Sequence, residues 1–137
     1  MEALRNSLDK ILSVANVLMA LLFFVSALLQ YNDPDPLRWA ALYGAACVAC
    51  CLRRAGRIAW MFPALVGGVA LIWAASLAPH VLPNMRFDDL FETMKAATPA
   101  IEENRELLGI LIVAAWMGVL AVTSLRSASR RQHLAFH

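Results

Sequence analysis

Four apolar blocks separated by polar punctuation set out this chain, at about 11–30, 37–52, 58–78 and 104–125. Each is near the ~20 residues that a helix needs to cross ~30 Å of hydrocarbon. The pattern predicts an all-α fold, an integral membrane four-helix bundle, formed by a single membrane domain over residues 1–137. The first block is longer than the ~7–15-residue apolar core of a cleaved signal, so it reads as a retained span. The second is short at ~1.5 Å per residue. Arg38 at one end and Arg53 and Arg54 at the other can lengthen it by snorkelling to the interface.

The punctuation carries its own predictions. Gln30-Tyr31-Asn32-Asp33-Pro34-Asp35-Pro36 turns the chain between the first two spans. Pro34 and Pro36 push Asp33 and Asp35 out of the helical region, because the proline ring clashes with the preceding residue. Asp35 is thereby placed as a helix N-cap with Pro36 at the first helical position. Trp39 and Tyr43, one turn apart, suit an interfacial aromatic belt. Arg53-Arg54-Ala55-Gly56-Arg57 makes a basic connection, and Gly67 and Gly68 suit close helix approach in the third span. Pro79 and Pro83 are expected to end that span and leave His80–Asn84 irregular.

Residues 87–97 follow a different rhythm. Phe87, Leu90, Phe91 and Met94 recur at helical spacing while Asp88, Asp89, Glu92 and Lys95 take other faces. This predicts a short amphipathic interfacial helix between spans 3 and 4. Thr98-Pro99 then signals a new helix start, and residues 126–137 form a basic tail.

Composition sharpens the class. A hydrophobic fraction of 61% is well above the ~45–50% of soluble domains, and mean hydropathy is +0.61. The net charge of +2 matters less than its distribution. Four spans put both termini on one side, together with Arg5, Lys10, Arg53, Arg54, Arg57, Arg126, Arg130 and Arg131. Only Arg38, Arg86, Lys95 and Arg105 lie opposite, so the positive-inside rule makes both termini cytoplasmic. Most carboxylates fall on the other, outward side. Cys47, Cys50 and Cys51 cluster in one span; their i, i+3, i+4 spacing suits small apolar packing and not a disulfide framework. Neither a phosphate-binding glycine loop nor a nucleic-acid module is present, so no nucleic-acid partner is expected.

Candidate chemistry gathers on the acidic side. Glu102 and Glu106 share a helix face with Arg105, and Glu103 lies on an adjoining one. They head the fourth span opposite the turn that carries Asp33 and Asp35. Carboxylates so placed repel one another unless Arg38, Arg105 or a cation neutralises them. As metal ligands, Asp33, Asp35, Glu102, Glu103 and Glu106 suit a hard divalent cation, and His80 would admit Zn²⁺ or Mn²⁺. As a ligand site, Tyr31, Asn32, Asp33, Asp35, Arg38 and Arg105 are the candidates. Purely structural roles compete: a cap for Asp35, Asx turns for Asn32 and Asp33, and helix-dipole stabilisation of Glu102 and Glu103. Glu106 has the weakest such role, because it borders the apolar stretch directly. No nucleophile-and-base spacing is present, and no catalytic residue is assigned.

With these residues in view, the chain resembles the transmembrane protein 220 family of small four-span membrane proteins. The resemblance rests on Gln30-Tyr31-Asn32-Asp33-Pro34-Asp35 with Trp39 and Tyr43-Gly44, and on Glu102-Glu103-Asn104-Arg105-Glu106 with Gly109. It implies a four-helix membrane fold with both motifs at one membrane face, and it brings no activity. The expectation is therefore a non-enzymatic polytopic protein whose acidic cluster binds an ion, a lipid headgroup or a partner subunit. One alternative is a metal-dependent membrane hydrolase acting on a lipid. Another is an accessory subunit, with a second membrane protein or a further copy of this chain as its partner.

Overall fold

The structure is a computed structural model that describes residues 1–85 and 99–136. Four helices account for almost all of it: α1 (Glu2–Leu29), α2 (Pro36–Arg54), α3 (Met61–Val81) and α4 (Pro99–Ala135). The expected interfacial helix at 87–97 lies outside the described residues. Among the described residues, three stretches are long and apolar enough to cross a membrane: Glu2–Asn32, Met61–Asn84 and Glu102–Ala135. α2 is not among them. At 19 residues it is about 28 Å long, and it carries Arg38, Arg53 and Arg54 near its ends.

α2 is instead the helix most committed to the interior. Trp39, Leu42, Tyr43, Ala46, Ala49 and Cys50 recur at helical spacing and are all buried. α1 packs along α2, and α3 and α4 pair closely with each other. Only Asn16 and Phe23 of α1 are fully buried; Leu18, Leu21, Leu22, Phe24 and Val25 face outward. An outward apolar surface is what a lipid-facing helix requires, because its own backbone groups are already satisfied within the helix.

The α3–α4 pair shows why small residues sit where they do. A Cβ added to Gly67 would come within 3.1 Å of the Met117 Cβ, so glycine lets the two backbones approach. Gly68 meets open space, so of the two expected approach points only Gly67 is used. Ala46, Ala49 and Ala70 have no exposed surface and belong to the same buried cluster as Ile110, Val113 and Met117.

One boundary expectation needs correction. α3 does not stop at Pro79; it passes through that proline to Val81 and closes with a 3₁₀ turn over Leu82–Asn84. Pro79 lies in the last turn, so it removes a single hydrogen bond, and the Leu82 amide still donates to the Ala78 carbonyl. At the other end, α4 continues as helix through the basic tail to Ala135.

The charge segregation read from the sequence has a spatial counterpart. The start of α1, the end of α2 and the end of α4 meet at one end, where Arg53 Nη1 donates to Ser124 Oγ at 3.1 Å. This is the basic end. The turn between α1 and α2 meets the head of α4 at the opposite, acidic end.

Candidate functional site

The acidic end is built by two sharp backbone events. After Leu29 the chain tightens into a 3₁₀ turn over Gln30–Asn32, closed by the Asp33 amide donating to the Gln30 carbonyl at 3.0 Å. The Gln30 side-chain amide donates back to the Ser26 carbonyl at 3.0 Å, tying the turn to α1. Asp33 is then extended (φ −79°, ψ 150°), as the following Pro34 requires. This backbone turn, and not Asx turns at Asn32 and Asp33, reverses the chain.

Asp35 stands at the N-cap of α2 with Pro36 first in the helix, as expected, but its carboxylate makes no capping hydrogen bond. Its ψ of 61° departs from the extended conformation that aims a capping oxygen at the helix amides. The side chain turns instead to Arg38, with Oδ2 3.9 Å from Nη1, both groups largely exposed. An exposed pair of this kind contributes at most about 1 kcal/mol.

On the other side, the first turns of α4 present Glu102, Arg105 and Glu106 to the turn. Between the two lies a cavity of about 380 Å³. Gln30, Asn32, Asp33 and Pro34 form one wall, Glu102, Arg105 and Glu106 the opposite one, and Trp39 and Tyr43 the aromatic side. The two halves singled out in the sequence thus face one cavity. Tyr31, Asp35, Arg38, Glu103 and His80 do not line it; each is exposed. Among the described residues, no three His, Cys, Asp or Glu side chains are placed to hold a metal ion together.

Trp39 and Tyr43 correct an expectation. They are not an interfacial belt but core residues, 5% and 9% exposed. Tyr43 stacks on Phe23 (ring centroids 6.4 Å apart) and on Trp39 (6.2 Å), and Trp39 packs on Trp73 at 4.6 Å. An aromatic ladder therefore runs from α1 through α2 to α3, with its upper surface forming part of the cavity. In sequence, Trp39 and Tyr43 fit the i, i+3, i+4 stripe of Leu42, Ala46 and Cys50 as well as they fit a belt.

Asn104, at the centre of the Glu102–Glu106 motif, is one of three buried polar residues among those described, with Asn16 and Ser124. It is 2% exposed among the first turns of α4, and its Nδ2 has no hydrogen-bond partner among the described residues. Gly109 has a clearer role. A Cβ there would collide with the Tyr43 hydroxyl, so glycine is what allows α4 to pass beside that ring. Tyr43 belongs to the motif around the turn and Gly109 to the motif on α4. The two stretches that carry the family resemblance are in contact.

Both stretches lie inside the region matched by the family described as Transmembrane family 220, helix, which spans residues 22–122. The chain belongs to that family. No solved structure matches it. Family membership and the three long apolar helices make it a membrane protein, an all-α bundle of four helices among the described residues. In this member of Transmembrane family 220, Cys47, Cys50 and Cys51 are free thiols. Cys50 is buried beside an inter-helix hydrogen bond in which Asn16 Nδ2 donates to the Cys50 carbonyl at 2.9 Å. Trp116 Nε1 donates to Asn16 Oδ1 at 3.4 Å, so one buried amide joins α1, α2 and α4.

Proposed function

We propose that the cavity at the acidic end binds the amine-bearing headgroup of a membrane lipid, and that the protein is a lipid-binding membrane protein and not an enzyme. The observation that carries this reading is the composition of the cavity. Asp33, Glu102 and Glu106 line it together with the rings of Trp39 and Tyr43, and Arg105 offsets part of their charge. Carboxylates beside aromatic surfaces attract an ammonium group by charge and by the cation–π interaction. Leu29, 62% exposed at the cavity edge, offers apolar surface along which a lipid tail leaves towards the bilayer. A small hard cation is less well served, because it wants several oxygens converging on one point.

Purified protein in detergent, titrated with short-chain phosphatidylethanolamine and observed by native mass spectrometry, tests this. Asp33→Asn and Glu106→Gln together should weaken binding about tenfold or more, given ~1.5–3 kcal/mol for charge-assisted hydrogen bonds. The ligand-free melting temperature should stay level or rise, because neutral amides relieve repulsion between neighbouring carboxylates. Unchanged lipid binding, or a large loss of stability without lipid, would identify the cluster as a structural network instead.

The same reading places the acidic end outside and both termini in the cytoplasm, which in a bacterial cell means an inner-membrane protein. Eight basic residues at the basic end support this orientation. In a background lacking Cys47, Cys50 and Cys51, an impermeant thiol reagent added outside should label Asp33→Cys and spare Arg54→Cys. The opposite labelling pattern would invert the topology.

A further inference from the structure

The basic end holds a second cavity, of about 330 Å³, between α1, α2 and α4. Its construction differs from that of the acidic site. Arg53 and Arg54 enter it from α2, Asp9 and Ser13 from α1, and Thr123 and Ser127 from α4. Its deep end is closed by the buried Asn16, whose amide is already engaged by Cys50 and Trp116. An incoming group therefore meets the arginines at the mouth and not the amide below.

The donors at that mouth are well defined. Thr123 and Ser127 spend their hydroxyl protons on α4 carbonyls, leaving only oxygen lone pairs to the cavity. Arg53 is half-buried and pinned across the helix interface by the Ser124 hydroxyl, which takes one of the five N–H donors of its guanidinium. Among the described residues, no carboxylate pairs with Arg53 or Arg54. Two guanidinium groups, one held in a fixed orientation, form a fork suited to phosphate oxygens. Asp9 on the α1 side leaves the site with one net positive charge, which matches a phosphodiester better than a doubly charged phosphate monoester.

The cavity also has a route into the bilayer. α1 packs along α2 and has little backbone contact with α4, although both line the cleft, so the α1–α4 seam is its open side. Leu12 on α1 and Val119 on α4 add apolar lining to the cleft at that seam.

We propose that this cleft is a binding site for the phosphodiester headgroup of an anionic phospholipid. Arg53 and Arg54 hold the phosphate, Asp9 and Ser13 take the headgroup hydroxyls, and the acyl chains leave sideways between α1 and α4 over Leu12 and Val119. The site is distinct from the acidic cavity at the far end of the bundle and does not depend on what that cavity binds.

The full chain, delipidated in detergent, is titrated by native mass spectrometry with dioctanoyl phosphatidylglycerol, dioctanoyl phosphatidylcholine and glycerol phosphate. Phosphatidylglycerol is expected to bind at least about tenfold more tightly than phosphatidylcholine, and Arg53→Gln with Arg54→Gln should remove that preference. Arg54→Gln alone, which breaks no hydrogen bond or ion pair among the described residues, should weaken binding severalfold with an unchanged melting temperature, so a folding defect cannot mimic the result. Arg57→Gln, at the same end but outside the cleft, should have no effect. Equal losses with Arg57→Gln and Arg54→Gln would reduce the finding to general surface charge and overturn the site. Glycerol phosphate binding as tightly as the lipid would overturn the lipid assignment.

Discussion

Replacing Gly109 by alanine is expected to destabilise the bundle by about 1–3 kcal/mol, the usual cost of forcing an extra methyl into a packed core. The new Cβ meets the Tyr43 hydroxyl at a separation that real structures do not show. Tyr43 cannot swing aside cheaply, because Phe23 stacks on one side of it and Trp39 on another. The collision is with the oxygen alone: the Tyr43 Cζ would lie 3.5 Å from the Cβ, an ordinary van der Waals contact. Tyr43→Phe should therefore rescue Gly109→Ala almost completely while changing little by itself. Thermal unfolding of the four proteins of this double-mutant cycle in lipid nanodiscs measures the coupling. Additive effects would mean that α4 does not pass Tyr43 at Gly109.

Phe23→Ala is expected to have a comparable effect. In a water-soluble core such a truncation costs ~3–5 kcal/mol, through lost transfer energy and the cavity left behind. In a bilayer the separated helix meets lipid tails and not water, so mainly the packing contribution is lost, and about 1–3 kcal/mol remains. Phe23 is 1% exposed and is the only fully buried apolar side chain of α1 among the described residues. Phe24, its neighbour in sequence, is 53% exposed on the lipid-facing side. Phe24→Ala should change the melting temperature little, and equal effects of the two truncations would show that α1 is not anchored through Phe23.

These two residues also mark how far the sequence could be read. The order of the spans, the turn at Gln30–Pro36 and the meeting of that turn with Glu102–Glu106 all follow from local rules about apolar length and proline geometry. Which aromatic faces inward does not. Trp39 and Tyr43 sit three and seven residues into a short helix flanked by arginines, a position that fits either an interfacial belt or a core stripe. The packing of α1 and α3 against them decides between the two. Pro79 is similar: a proline near a helix end stops the helix or loses one bond within it, depending on whether the next turn can still close. Among the candidate ligands, Asp33, Glu102 and Glu106 reached the cavity because the turn and the helix face aim them there. Asp35 did not, because a ψ of 61° at the start of α2 directs its side chain to Arg38.

The length of α4 has a practical consequence. Its 37 residues make a rod of about 55 Å, against ~30 Å of hydrocarbon to be crossed. The apolar stretch ends at Leu125, so the ten residues from Arg126 to Ala135 carry the same axis about 15 Å further. A helical fusion partner spliced in register after Ala135 would inherit that direction, and each residue added at the junction would rotate it by about 100°. A 15.0 kDa bundle otherwise buried in a lipid disc would then carry a rigid fiducial for single-particle imaging.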